Sequence, residues 1–211
     1  MRVDWELQCI AFLNQQPDPP DAAHGLPHLR RVVASAKQIG RAEGATLGVV
    51  VPAAWLHDCV ALPKDHPDRR LASRAAADRA TAFLREAAYP SQHLDAIHHA
   101  IEAHSFSAGI APRTLEAQVV QDADRLDALG AIGIARTLAV GTALGRPLYA
   151  TTDPFCEHRL PEDHAYTLDH FYTKLLILAD TMQKATGRAE AERRTAFLRA
   201  FLEQLQSELA G

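Results

Sequence analysis

Cysteine is scarce in this 211-residue chain: Cys9, Cys59 and Cys156 are odd in number and far apart, and no Cys-x-x-Cys occurs. That argues against a disulfide framework and against a thiolate zinc site, and fits a reducing compartment. Positive charge is not in excess either. With a formal net charge of −4, the chain has no broad electrostatic footprint for a nucleic-acid backbone, although a local basic pocket for phosphate is still permitted. Long apolar runs are missing: the longest, Leu47 to Leu56, is about half of what a membrane span needs. The start, Met1-Arg2-Val3-Asp4-Trp5-Glu6, carries acids where a signal peptide would want a basic start followed by an apolar stretch. The expectation is a cytoplasmic protein with neither a membrane nor a nucleic acid as partner. Strand-like alternation and internal repeats are absent as well.

What remains reads as helix. Trp5, Cys9, Phe12 and Leu13 have the 3-4 spacing of an amphipathic helix over residues 4–15, which Pro17, Pro19 and Pro20 end. A second helix is predicted over 29–42. A third, with Thr46 as N-cap, runs to Asp58 and is apolar on all sides, so it belongs in the centre of a bundle. Further helices are predicted over 68–88, from Ser91 to about 103, from Pro112 to Asp124, over 127–143, about 168–184 and 189–209. The glycines at 130, 133 and 141 permit close helix contacts. Pro63 to Pro67 makes a loop, and 145–163, with three prolines, is the longest irregular stretch. The fold class is all-α, a single helical domain over 1–211 with a core at about 20–140 and C-terminal helices at about 164–210 packing on it.

Four residues form a candidate metal site: His28 at the start of one helix, His57 and Asp58 at the end of the apolar one, and Asp122 near the end of a later one. A hard or borderline divalent ion takes nitrogen and oxygen ligands converging from different elements. A carboxylate at the end of an apolar helix costs several kcal/mol unless something compensates it, and a cation bound by both His57 and Asp58 would do so. A second polar cluster, Asp122, Asp124, Arg125 and Asp127, interrupts another apolar helical region.

The stretches His24-Gly-Leu-Pro-His28-Leu-Arg-Arg31, Leu56-His57-Asp58, His104-Ser105-Phe106-Ser107 and Asp122-Ala-Asp-Arg125-Leu-Asp127 through Arg136 resemble the HD-domain metal-dependent phosphohydrolases. Together with His170-Phe171-Tyr172-Thr-Lys174, the last stretch is similar to the compact bacterial branch of YpgQ-like and YedJ-like proteins. The resemblance implies one divalent ion on His28, His57, Asp58 and Asp122, with Mn²⁺ favoured over Mg²⁺, Co²⁺, Ni²⁺ or Fe²⁺. It implies hydrolysis of phosphate esters or anhydrides with a nucleotide as substrate. Two departures stand out. Some nucleotidase members carry a glutamate three residues after the His-Asp pair, where this chain has Ala61, and relatives often have Asp after the position of His24, where this chain has Gly25.

Phosphoryl transfer needs cations or donors around the equatorial oxygens. Arg31 follows His28 by three residues and Arg125 follows Asp122 by three, so each can share its neighbour's helix face. Both can equally pair with nearby carboxylates. Lys64 lies in the loop after Asp58, and His104 can donate a proton to a leaving group or contact phosphate. His98 and His99 face different directions, His170 and Lys174 are expected to brace the site, and Arg193-Arg194 reads as a solvated face. The expected reaction is cleavage of a nucleoside triphosphate to monophosphate and pyrophosphate by a monomer or homodimer. Alternatives are a nucleotide monophosphate phosphatase, a nucleotide-binding module without turnover, and a dinuclear iron oxygenase using His99 and His104.

Overall fold

The computed structural model describes residues 3–16, 25–60, 62, 68–106 and 108–209. Among these there is no strand, and the all-α expectation holds. The chain divides into two compact units, Met1–Asp124 and Arg125–Gly211. Length alone, which pointed to one domain, carries no signal of this division.

In the N-terminal unit, α1 (Trp5–Leu13) starts at Asp4, whose carboxylate accepts from the Glu6 and Leu7 backbone N–H groups. This satisfies two of the donors that a helix start leaves open. Helix α2 (Leu26–Glu43) opens with Pro27 and closes on Gly44, whose φ of 74° suits a left-handed helix terminus. The apolar α3 (Leu47–Leu56) is buried over Val49, Val50 and Pro52–Leu56, and α1, α2 and the later helix α5 (Leu94–Glu102) pack on it. Glu6 ties the first three helices together, accepting from Lys37 at 2.6 Å and from the Trp55 indole at 3.0 Å.

Pro52 lies inside α3 and leaves the carbonyl four residues earlier without its helical donor. That carbonyl belongs to Gly48, and the Tyr89 hydroxyl donates to it at 2.5 Å. A Cβ on Gly48 would meet the His93 ring at 3.3 Å, so the close approach depends on glycine. The remaining helices of this unit are α4 (Ala72–Glu86), entered through a 3₁₀ turn at Arg69–Leu71, and α5 (Leu94–Glu102), entered through another at Ser91–His93. Helix α6 (Leu115–Leu126) carries the boundary between the units.

In the C-terminal unit, α7 (Gly130–Ala143) packs against α9 (Ala185–Leu209). The helix expected over 168–184 is shorter than its sequence suggests. It forms α8 (Asp169–Thr173), then breaks at Lys174 (φ −139°) into a 3₁₀ segment, Leu175–Thr181. Arginines take the carbonyls at the end of that segment: Arg125 donates to Thr181 O at 2.7 Å and Arg188 to Met182 O at 2.7 Å. The segment's end is thus met by one nearby arginine and one 56 residues away, and the second contact is one that local periodicity cannot reveal. Arg194 is a further correction. Arg193 does lie on a solvated face, but Arg194 donates to the Leu126 carbonyl at 2.7 Å.

Candidate metal centre

Three helix ends and one loop meet at the end of the buried α3. His28 sits in the first turn of α2, held by its N–H to the Gly25 carbonyl at 2.9 Å. His57 caps α3, and its ring is fully buried. The His57 Nδ1–H donates to the Ala54 carbonyl at 2.9 Å, so in the neutral ring Nε2 carries the lone pair. That Nε2 lies 3.3 Å from His28 Nε2. The Asp58 Oδ2 stands 3.4 Å from His57 Nε2 and 3.7 Å from His28 Nε2.

The fourth position differs from the expectation. The carboxylate beside the histidines is that of Asp124, whose Oδ1 lies 3.6 Å from both His28 Nε2 and His57 Nε2. Asp122 is fully buried on the same helix and belongs to neither ligand group found among the described residues. Positions two apart on a helix are about 200° apart around its axis, so only one of the two acids can face the histidines. Both lie in the polar cluster at the end of α6, and the sequence alone had no means of choosing between them. The two acids also differ in exposure: Asp124, like Asp58, keeps part of its side-chain surface, 27% and 22%, while Asp122 keeps none.

His104, expected near the phosphate, does reach the centre. Its Nδ1–H donates to the Ile101 carbonyl at 2.6 Å, and its Nε2 stands 3.5 Å from Asp58 Oδ1. The two Asp58 oxygens thus face different imidazoles. His57, His104 and Asp124 make a second set of converging ligand atoms beside His28, His57 and Asp58. His99 is not part of either set: its Nε2 accepts the Arg113 N–H at 2.9 Å and its Nδ1 meets Glu102 at 3.2 Å. Both of its ring nitrogens are taken, which removes one of the two histidines that a dinuclear iron site was expected to use. His98 pairs with Asp78 on the surface. Arg31 is partly exposed on α2. Arg125 donates to Thr181, as described above, and His170 Nδ1 pairs with Asp163 at 2.9 Å. His24, Ala61, Lys64 and Ser107 lie outside the described residues.

The donor set fits a divalent cation. Ligand atoms about 2.1 Å from one ion stand roughly 3.0–3.4 Å apart, close to the spacings found here. The electrostatics agree. Burial by itself would lower the pKa of His57, but Asp58 and Asp124 outweigh it and raise it well above its ordinary value. Burial by itself would raise those of Asp58 and Asp124, but the surrounding imidazoles outweigh it and lower both. Two carboxylates thus demand positive charge at the imidazole nitrogens, and a proton or a metal ion can supply it.

Residues 25–129 match the HD domain family. The chain is 35% identical over 195 residues to the uncharacterised protein YpgQ of Bacillus subtilis, covering 90% of this chain and 86% of that one. It belongs to the HD-domain family, in the YpgQ-like branch. Its fold is similar to the crystal structure of B. subtilis YpgQ in complex with ADP (31% identity, TM-score 0.73, 98% of each chain). It is also similar to an HD-superfamily hydrolase from Bacillus thuringiensis (32% identity, TM-score 0.74, 98% of this chain and 96% of that one). Membership brings the expectation of a divalent metal, and the His/Asp cluster is where this chain can hold it.

Proposed function

We propose that the protein is a divalent-metal phosphohydrolase that cleaves a nucleoside or deoxynucleoside triphosphate to monophosphate and pyrophosphate, with His28, His57, Asp58 and Asp124 as metal ligands. The observation that carries this reading is the pair of buried Nε2 atoms, 3.3 Å apart, facing two carboxylates. A bound ion of this kind, with Mn²⁺ favoured, acidifies water and polarises a phosphoryl oxygen.

The chain's own groups do the rest. Ala54 and Ile101 carbonyls fix the His57 and His104 rings through Nδ1, so each Nε2 points inward with a defined tautomer. His104 Nε2 accepts a proton in the pocket, and as imidazolium it returns one to a leaving oxygen. Asp58 Oδ1, 3.5 Å away, orients it. Arg31, three residues after His28 on α2, supplies cationic charge for phosphate oxygens, and Lys64 is retained as a second such group on sequence grounds. Alanine at position 61 suits an anhydride substrate, because pyrophosphate is a far better leaving group than a nucleoside alkoxide and needs a weaker acid. The ADP carried by the YpgQ crystal structure supports a nucleotide as the ligand here.

The test is product analysis. Purified protein with Mn²⁺ is expected to convert nucleoside triphosphates to monophosphates and pyrophosphate, resolved by chromatography. Free nucleoside and inorganic phosphate released from a monophosphate, with triphosphates untouched, would overturn the reading.

A further inference from the structure

The side chain of Gln121 on α6 is buried, yet its amide is only partly used. Its Nε2 donates to the Ala103 carbonyl at 2.7 Å, which fixes the end of the amide that faces this carbonyl. Among the described residues, the buried Oε1 meets no donor. An unpaired buried polar atom costs stability. A methionine of about the same volume would fill this place without that cost. The amide's presence here is therefore accounted for by the one bond that it makes.

That bond lands where the chain enters the metal centre. Ala103 caps α5, so its carbonyl is one of those that a helix end leaves without a donor. It is also the carbonyl of the planar peptide that leads into His104. Gripping it sets the plane from which the His104 side chain departs. The imidazole is then held through Nδ1–H by the Ile101 carbonyl at 2.6 Å, with Nε2 3.5 Å from Asp58 Oδ1. Gln121 stands three residues before Asp124, and such positions share a helix face. Asp124 lies beside His28 and His57, so one face of α6 serves both the histidine pair and the seat of His104. On the reading that His104 is the proton donor of the proposed hydrolysis, we propose that Gln121 is its positioning residue, acting through the Ala103–His104 peptide without touching metal or substrate.

Gln121→Met removes the donor at nearly constant bulk. It is expected to lower kcat about tenfold to a hundredfold, while KM and the number of Mn²⁺ ions bound, counted by calorimetry, stay at wild-type values. Because the effect runs through His104, the double variant with His104→Ala should be no slower than His104→Ala alone. Gln121→Asn keeps an amide that falls short of the carbonyl and should show the same loss, so it serves where Gln121→Met does not fold. A second readout needs no turnover: ¹⁵N NMR of the histidine rings in the Mg²⁺-loaded protein. The His104 signals should move in the variant while those of His57 stay in place. Wild-type kcat in a folded variant, losses that multiply in the double variant, or unmoved His104 signals would overturn the proposal. So would His57 signals that move together with those of His104, since that marks a general loosening of the centre. The proposed reaction fails separately: protein that leaves triphosphates uncut, but whose His104 signals alone move in Gln121→Met, would refute the hydrolysis and leave the positioning intact.

Discussion

Asp58 in the N-terminal unit and Asp169 in the C-terminal unit are both carboxylates drawn largely out of water, and the protein neutralises them in different ways. Asp169 is fully buried, and the Arg159 guanidinium grips it with two bonds of 2.5 and 2.7 Å while the Glu162 N–H adds a third at 2.6 Å. That carboxylate meets a permanent cation in fork geometry. Among the described residues, the partners found beside Asp58 and its neighbour Asp124 are imidazoles, which are positive only after taking up a proton. The first arrangement is complete within the chain and serves structure. The second leaves its charge to be balanced by something that enters, which is how a binding site differs from a brace.

The largest expected effects fall on the second arrangement. Asp58→Ala should abolish metal binding and hydrolysis while leaving helical circular dichroism intact, and Asp58→Asn should be nearly as damaging because the amide removes the charge that holds the ion. Asp124→Asn should behave alike. Asp122→Asn should leave metal stoichiometry unchanged by calorimetric titration. Metal loss in Asp122→Asn with retention in Asp124→Asn would reverse the ligand assignment.

This contrast also marks how far the sequence could be read. Composition and 3-4 spacing located the helices because those depend on local pattern, and the apolar α3 was legible as a core helix because it has no polar face. His57 and Asp58 were legible because a carboxylate at the end of an apolar helix has no cheap structural reason, and His28 because it completes the ordered set that resembles the HD-domain signature. That Asp124 rather than Asp122 lies beside the histidines was not legible, since helix phase is lost where acids stand at alternate positions among alanines and leucines. The shortening of α8 and the seat of Arg194 were also hidden. Arginines reach carbonyls far along the sequence in both places, and such contacts leave no periodic trace.

The brace predicts a different response. Removing one partner of a buried pair leaves the other uncompensated, at a cost of about 3–5 kcal/mol. Arg159 is partly exposed, so Asp169→Asn should cost about 3 kcal/mol, at the low end of that range. Urea denaturation measures it. Activity per folded molecule should change little, in contrast to Asp58→Asn. A variant as stable as wild type would mean that the Arg159–Asp169 contact contributes nothing to folding.

Acid should dissect the same brace more gently. Burial alone would push the Asp169 pKa up, but the Arg159 bonds and the Glu162 N–H outweigh it and hold it below its ordinary value near 3.8. A carboxylate lowered on folding contributes stability that is fully present above its unfolded pKa and is lost as pH falls through the folded one. The contribution should therefore be intact at neutral pH and decline only below about pH 4. Other carboxylates titrate in that window too, so the wild-type curve by itself does not isolate Asp169. The difference between wild type and Asp169→Asn does. Measured by urea midpoints at steps from pH 6 downward, that gap should stay constant to about pH 4 and then shrink. A gap that widens in acid would show that Asp169 is held protonated in the folded chain, and the guanidinium would then be a hydrogen-bond donor to a neutral acid rather than its counter-ion.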